Sequence, residues 1–169
     1  INKTPYKDER RPAFSRTEWR TLTTKMRKHV DTNIQSNIQR SRFYLQHFML
    51  ISANCGGRVG ELRNLRWIDV VSEIINDKEV ISAVVNGKTG EREMLFQPVA
   101  KTYLERLKEF RKKELGKEVP EKEVLFCHTN GTPIHSFRNS FEKMLDKFKL
   151  LYNKEGKRRT IYSLRHTYA

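Results

Sequence analysis

The apolar positions of this chain change their period twice, and each change marks a new set of elements. Trp19, Leu22, Met26 and Val30 recur every three to four residues, the repeat of one helix face. Ser15-Arg16-Thr17-Glu18 leads into them with a capping-box pattern, a hydroxyl at the cap and a carboxylate three residues on. The spacing predicts a first helix over about 15–30, and residues 31–36 read as a loop. A second, more apolar helix is predicted over about 37–53, through Phe43, Tyr44, Leu45, Phe48, Met49 and Leu50. Asn54-Cys55-Gly56-Gly57 stops it, because glycine tolerates the left-handed backbone on which helices end. A short helix then covers 58–65.

From Trp67 the period shortens. Val70, Val71, Ile74, Ile75 and then Val80, Ile81, Ala83, Val84 and Val85 form short β-branched runs. Asn86-Gly87-Lys88-Thr89-Gly90 has hairpin-turn chemistry, and Met94-Leu95-Phe96 makes the returning strand. Past Pro98 the helical repeat resumes with Val99, Tyr103, Leu104 and Leu107. A charged loop (116–123), a short extended piece (124–126) and a turn at Asn130-Gly131-Thr132-Pro133 follow. Phe137, Phe141, Met144, Leu145 and Phe148 then mark another helix, 154–160 a basic loop, and 163–169 the start of a last helix. The fold class is α+β, mainly helical with a small three-stranded antiparallel sheet. It lacks the alternation of strands and helices that builds a doubly wound sheet.

A length of 169 residues suits one domain. Residues 1–14, with Pro5 and Pro12 among charges, read as a linker, and 15–169 as the domain. The chain starts without methionine and stops inside a helical pattern, so it is expected to be a fragment. Its longest apolar stretch, 43–53, is broken by Gln46 and His47 and is too short to cross a membrane. Cys55 and Cys127 form no CxxC pair, which argues against a disulfide scaffold or a zinc ribbon and for a reducing compartment, the cytoplasm. His29, His47, His128 and His135 stand apart without metal-ligand spacing, so they form no candidate metal site. The net charge of +14 is uneven. Residues 1–42 carry eleven Lys/Arg against four Asp/Glu, and 147–169 carry seven against one, while 43–146 is nearly neutral. A fold that joins the two ends would create one basic face, which points to nucleic acid as the partner, with a basic tail or an anionic-lipid contact as the alternative.

Three places carry candidate chemistry. In Gly56-Gly57-Arg58-Val59-Gly60-Glu61-Leu62, glycines allow close approach and a helix start offers N–H groups. Arg58 supplies a fork that matches phosphate oxygens, and Glu61 shares its helix face. An ordinary surface ion pair would have the same spacing. Lys88 at the hairpin tip can reach a groove or protonate a leaving oxygen, or simply be a solvated turn lysine. In Tyr162-Ser163-Leu164-Arg165-His166-Thr167, Tyr162 and Arg165 share a helix face beyond the basic run Lys157-Arg158-Arg159. A second arginine would complete a clamp on one phosphate, although a backbone anchor without chemistry needs the same residues.

Taken in order, these motifs resemble the catalytic domain of the tyrosine recombinases, the phage-integrase family of site-specific DNA recombinases. The resemblance is carried by Gly56-x-Arg58-x-x-Glu61-Leu62-x-x-Leu65-x-Trp67-x-Asp69, then Lys88, then Leu164-Arg165-His166-Thr167, and spans residues 15–169. It implies that Arg58 and Arg165 hold the scissile phosphate and that Lys88 protonates the leaving 5′-hydroxyl. A tyrosine forms a 3′-phosphotyrosyl bond, without metal or cofactor. Glu61 and His166 would support the site, and Lys157, Arg158 and Arg159 would contact DNA. Tyr162 stands where the family usually has histidine, and it can still donate a hydrogen bond to phosphate. The nucleophilic tyrosine is expected beyond this chain, with Tyr168 a core aromatic. The fragment would therefore bind DNA as a monomer without cleaving it, whereas the family's working enzymes assemble as tetramers. The rival expectation is a non-catalytic DNA-binding protein that kept the fold.

Overall fold

The computed structural model describes residues 11–30, 36–87 and 90–168. Among them the order is α1 (Arg16–His29), α2 (Asn37–Ser52), α3 (Val59–Arg63), β1 (Val70–Ile75), β2 (Lys78–Gly87), β3 (Gly90–Phe96), α4 (Ala100–Leu115), α5 (Arg138–Lys147) and α6 (Ser163–Thr167). The predicted α+β architecture is present, with three strands in the order β1-β2-β3, all antiparallel.

Local chemistry sets the element ends. Ser15 Oγ accepts the Glu18 N–H at 3.2 Å while Glu18 Oε2 accepts the Ser15 N–H at 2.9 Å, the reciprocal box that starts α1. Ser36 caps α2 by accepting the Gln39 N–H at 3.2 Å. α2 is the central helix, with Tyr44, Phe48, Met49 and Ile51 fully buried; it ends at Ser52 with Ala53 as its cap, and Gly56 turns left-handed at φ 60° four residues on. Asn76 and Asp77 take φ of 50° and 59°, which forms the tight β1–β2 turn. On the sheet, Ile81, Ala83 and Val85 of β2 and Met94 and Phe96 of β3 face the core, while Val84 and Leu95 face out. The predicted helix beyond Pro98 begins at Ala100, since Pro98 and Val99 form a turn first.

Much of the chain between α4 and α6 has no regular structure, so its carbonyls need other donors. Arginines supply them. Arg40 on α2 donates to the Cys127 carbonyl at 2.9 Å and to Glu114. Arg111 on α4 donates to the Thr129 carbonyl at 3.1 Å and, in a side-on pair, to Glu123 at 2.7 and 2.8 Å. The predicted extended piece at 124–126 pairs back on the core, with the Leu125 N–H donating to the Leu65 carbonyl at 2.8 Å.

The two basic ends of the chain meet, which is the condition under which their charges share one face. The Phe14 N–H donates to Thr167 Oγ1 at 3.2 Å, and Lys25 Nζ reaches the Phe148 carbonyl at 3.1 Å. Two expectations need correction here. Of the predicted linker, residues 1–10 lie outside the described residues, but Phe14 belongs to the core at 5% exposure. Arg159, expected on DNA, is 1% exposed. Its guanidinium donates to Glu18 at 2.7 Å and to the carbonyls of Leu150 and Tyr152 at 2.9 and 3.0 Å, and lies over the Phe14 ring. These bonds hold it inside the fold, so it is a tie between α1 and the C-terminal segment.

Removing a buried guanidinium bonded to a carboxylate and carbonyls orphans its partners. Arg159→Met is expected to cost roughly 3 kcal/mol of stability. Lys157→Ala, two residues away and exposed, is expected to cost less than about 0.5 kcal/mol. Urea unfolding of both variants checks the pair.

Candidate functional site

Arg58 is the cap residue of α3, in extended backbone just after the left-handed Gly56. Its N–H donates to Glu61 Oε2 at 2.8 Å and its Nη1 to Glu61 Oε1 at 2.8 Å. The Glu61 side chain is only 3% exposed, whereas that of Arg58 is 37% exposed. The pair is therefore a carboxylate sunk in the fold with an arginine standing out from it. Leu62, Leu65 and Trp67, the rest of the motif, are buried in the core, and Asp69 takes a side-on pair from Arg66 at 2.7 and 3.0 Å. That half of the motif is packing.

A second arginine reaches the same carboxylate. Arg92 on β3 donates from Nη2 to Glu61 Oε2 at 2.7 Å and from Nε to Oε1 at 3.4 Å. Sequence reasoning missed it, since Glu91-Arg92-Glu93 looks like solvated charge. The available signal was parity: Arg92 shares its strand face with Met94 and Phe96, and an arginine on the inward face needs a partner. Burial pushes the Glu61 carboxyl up, but the bonds from Arg92 and from both groups of Arg58 outweigh it and hold it down at about 2.

The hairpin is pressed against this cluster. A Cβ on Gly87 would lie 2.7 Å from Arg58 Nη1 and 2.7 Å from Glu61 Oε1, so a side chain there would displace the tips of the pair. Gly87 pairs with Gly90 across the end of the hairpin. Lys88 itself lies outside the described residues, but the residue before it touches the Arg58 guanidinium.

The second motif forms the short helix α6. Ser163 and Leu164 are fully buried, Arg165 is half-buried, and Tyr162 and His166 are exposed. The Arg165 N–H bonds to the Tyr162 carbonyl at 3.2 Å. Tyr168 is not the expected core aromatic. It is 36% exposed, and its ring lies over Gly56, where a Cβ would come within 2.8 Å of Cδ1. That contact joins the Arg165 helix to the loop that carries Arg58. Of the basic run, Lys157 pairs with Glu155 at 3.1 Å and Arg158 with Glu142 at 2.9 Å, both exposed. The expected use of a helix N-terminus is weakened: α3 has five residues, and the Arg58 N–H is already given to Glu61. Positive side chains are what this site offers an anion. A groove of about 1530 Å³ between α1, α2 and α4 is lined by none of these residues. Among the described residues, no group of three His, Cys, Asp or Glu could hold a metal, and no helix is long and apolar enough to cross a membrane.

A hairpin glycine is thus seated on a carboxylate-held arginine, and the helix of the second arginine is tied to the same loop of an α+β domain. The chain belongs to the phage integrase family, whose model matches residues 19–169. No curated protein matches it in sequence. In fold it is similar to the XerH site-specific recombinase bound to a palindromic difH substrate in a post-cleavage complex. The TM-score is 0.67 at 18% identity, over 99% of this chain and 44% of that one. It is also similar to the Tn1549 transposon integrase in complex with circular intermediate DNA, with a TM-score of 0.60, 17% identity and coverage of 96% and 53%. The XerA recombinase matches with a TM-score of 0.57 at 18% identity, over 92% and 48%. The chain thus spans about half the length of these proteins.

Because the Glu61 carboxyl is lowered from 4.5 to about 2 by folding, its bonds stabilise the native state fully above pH 4.5. That contribution, about 3 kcal/mol, is lost as the pH falls from 4.5 to about 2. Urea unfolding across this window is expected to show the loss in the parent chain. Glu61→Gln should be less stable at neutral pH, with a flatter acid limb.

Proposed function

We propose that this chain is the phosphate-binding part of a site-specific DNA recombinase. In the longer protein, it would cut and rejoin duplex DNA through a 3′-phosphotyrosyl bond. The observation that carries this reading is the Arg58–Glu61 pair against Gly87, which sets a fixed, partly exposed guanidinium beside the chain position that precedes Lys88. Three things support it besides: family membership, the fold shared with DNA-bound recombinases, and the basic ends brought together.

In this mechanism Arg58 and Arg165 grip the non-bridging oxygens of the scissile phosphate and stabilise the charge that grows there. A tyrosine oxygen attacks phosphorus, and the bond to the 5′-oxygen breaks. Lys88 gives that oxygen a proton, which nearby arginines make easier to release. Tyr162 donates a hydrogen bond to phosphate where a histidine would otherwise stand. Its hydroxyl serves there as a donor rather than a base. Rejoining is the reverse attack by a 5′-hydroxyl on the phosphotyrosine, so no energy source is consumed. Tyr168, packed on Gly56, is not assigned as the nucleophile, which lies outside these residues. This chain by itself then binds DNA as a monomer and leaves it uncut, and the longer protein assembles as a tetramer. The setting is a phage or other mobile element acting in the cytoplasm, with residues 1–10 leading from a further DNA-gripping domain.

The test is a covalent protein–DNA band on a denaturing gel, from the longer protein with a nicked attachment-site duplex. Arg58→Ala and Arg165→Ala are each expected to lower its rate by at least roughly 10²-fold. Binding should change far less. Tyr162→Phe is expected to lower the rate by about tenfold, the worth of one charge-assisted hydrogen bond. A protein that binds the same duplex in a salt-sensitive way yet never gives the band would be a DNA-binding relative without the chemistry.

A further inference from the structure

We propose that Arg92 is a positioning residue of the phosphate site, acting through Glu61 so that Arg58 is held in place and still presents positive charge. This rests on the reading of Arg58 as a phosphate contact. A lone Arg58–Glu61 pair would be neutral and would attract an anion weakly. Arg92 puts a second positive charge on the same carboxylate and gives the three groups a net charge of +1. The bonds divide evenly: each Glu61 oxygen takes one bond from Arg58, at 2.8 Å, and one from Arg92, at 2.7 or 3.4 Å.

The two arginines spend their donors differently. Arg92 presents its Nε/Nη2 edge side-on to the carboxylate. Arg58 uses only its backbone N–H and Nη1, so among the described residues its Nε and Nη2 donors are uncommitted while the side chain is 37% exposed. The acidic neighbours of Arg92, Glu91 and Glu93, alternate to the opposite face of β3 and leave its charge in place. Fixing Arg58 before a phosphate arrives also removes much of the side-chain ordering cost of binding.

The charge argument makes a prediction that packing alone would not. Binding of the 169-residue chain to a fluorescently labelled DNA duplex is measured by anisotropy over a range of salt concentrations, with urea unfolding to confirm that each variant is folded. Arg58→Gln and Arg92→Gln are each expected to lower the slope of log affinity against log salt by ~0.9, the equivalent of one phosphate contact. In the double variant Arg92→Gln with Glu61→Gln, the charge on Arg58 is no longer cancelled. The slope should return to the parent value while the affinity stays reduced, because Arg58 is no longer held. If Arg92→Gln does not fold, the double variant decides alone: a parent-like slope is expected, and a slope lower by ~0.9 overturns the inference. A parent-like slope in folded Arg92→Gln overturns it as well. A wild-type result for Arg58→Gln would sink the phosphate reading and this inference together, whereas a loss in Arg58→Gln without one in Arg92→Gln sinks only the inference.

Discussion

A carboxylate cannot be buried unpaired, and the site is arranged around that constraint. Glu61 is nearly inaccessible to water, and stripping the hydration from one carboxylate costs several kcal/mol. Four hydrogen bonds from two arginines offset the cost. They also dictate the surroundings. Arg58 must lie at the helix start, where its N–H and its guanidinium can reach one carboxylate together. Arg92 must be on the inward face of β3. Gly87 lets the strand pass directly over the pair without displacing it. The loop, the hairpin and the helix are thus held in one geometry by a single negative charge.

The same device recurs where the fold lacks regular structure. Arg40, Arg111 and Arg159 each combine a glutamate with carbonyls of irregular chain, at Cys127, at Thr129 and at Leu150 and Tyr152. A backbone without a ladder leaves carbonyls that must find donors, and a guanidinium has five. Lysine would not substitute, because its three donors spread from a point and cannot span a carboxylate side-on. Each buried arginine is matched by a glutamate, so the interior is close to neutral and the excess positive charge is left to exposed side chains. The arginine-rich composition therefore records two tasks, internal ties and an external field.

The sequence made the elements legible because period and capping are local. The Ser15–Glu18 box, the strand alternation of 81–85 and the spacing of Arg58 and Glu61 all lie within a few residues of each other. What escaped depends on partners far away in sequence. Arg159 sits in a basic run whose neighbours Lys157 and Arg158 are exposed, and only its meeting with Glu18, 141 residues earlier, buries it. Arg92 lies 31 residues from Glu61. Phe14 looked like the end of a linker until the C-terminal segment closed over it, and Tyr168 looked like core until its ring was found against the one glycine that leaves room for it. Charged runs and chain ends are where local reading is weakest, since burial there is decided by what folds back onto them.

A DNA duplex, the ligand proposed for this chain, is convex and uniformly charged, and a site that binds it need not be a cavity. Any exposed lysine can attract it, so net charge alone gives affinity without register. Register needs donors whose positions do not follow the ligand. Most of the exposed basic side chains here are single, solvated and able to swing, which suits them to attraction. Arg58 differs because its orientation is set before a phosphate arrives, by a carboxylate that is itself locked between two elements. Arg165 is placed in another way, on a helix whose buried Ser163 and Leu164 anchor it and whose Tyr168 packs on the loop of Arg58. The distinction between a basic surface and a site that can hold one phosphate still therefore rests on those buried partners, and they contribute nothing to the net charge that first draws attention to the chain.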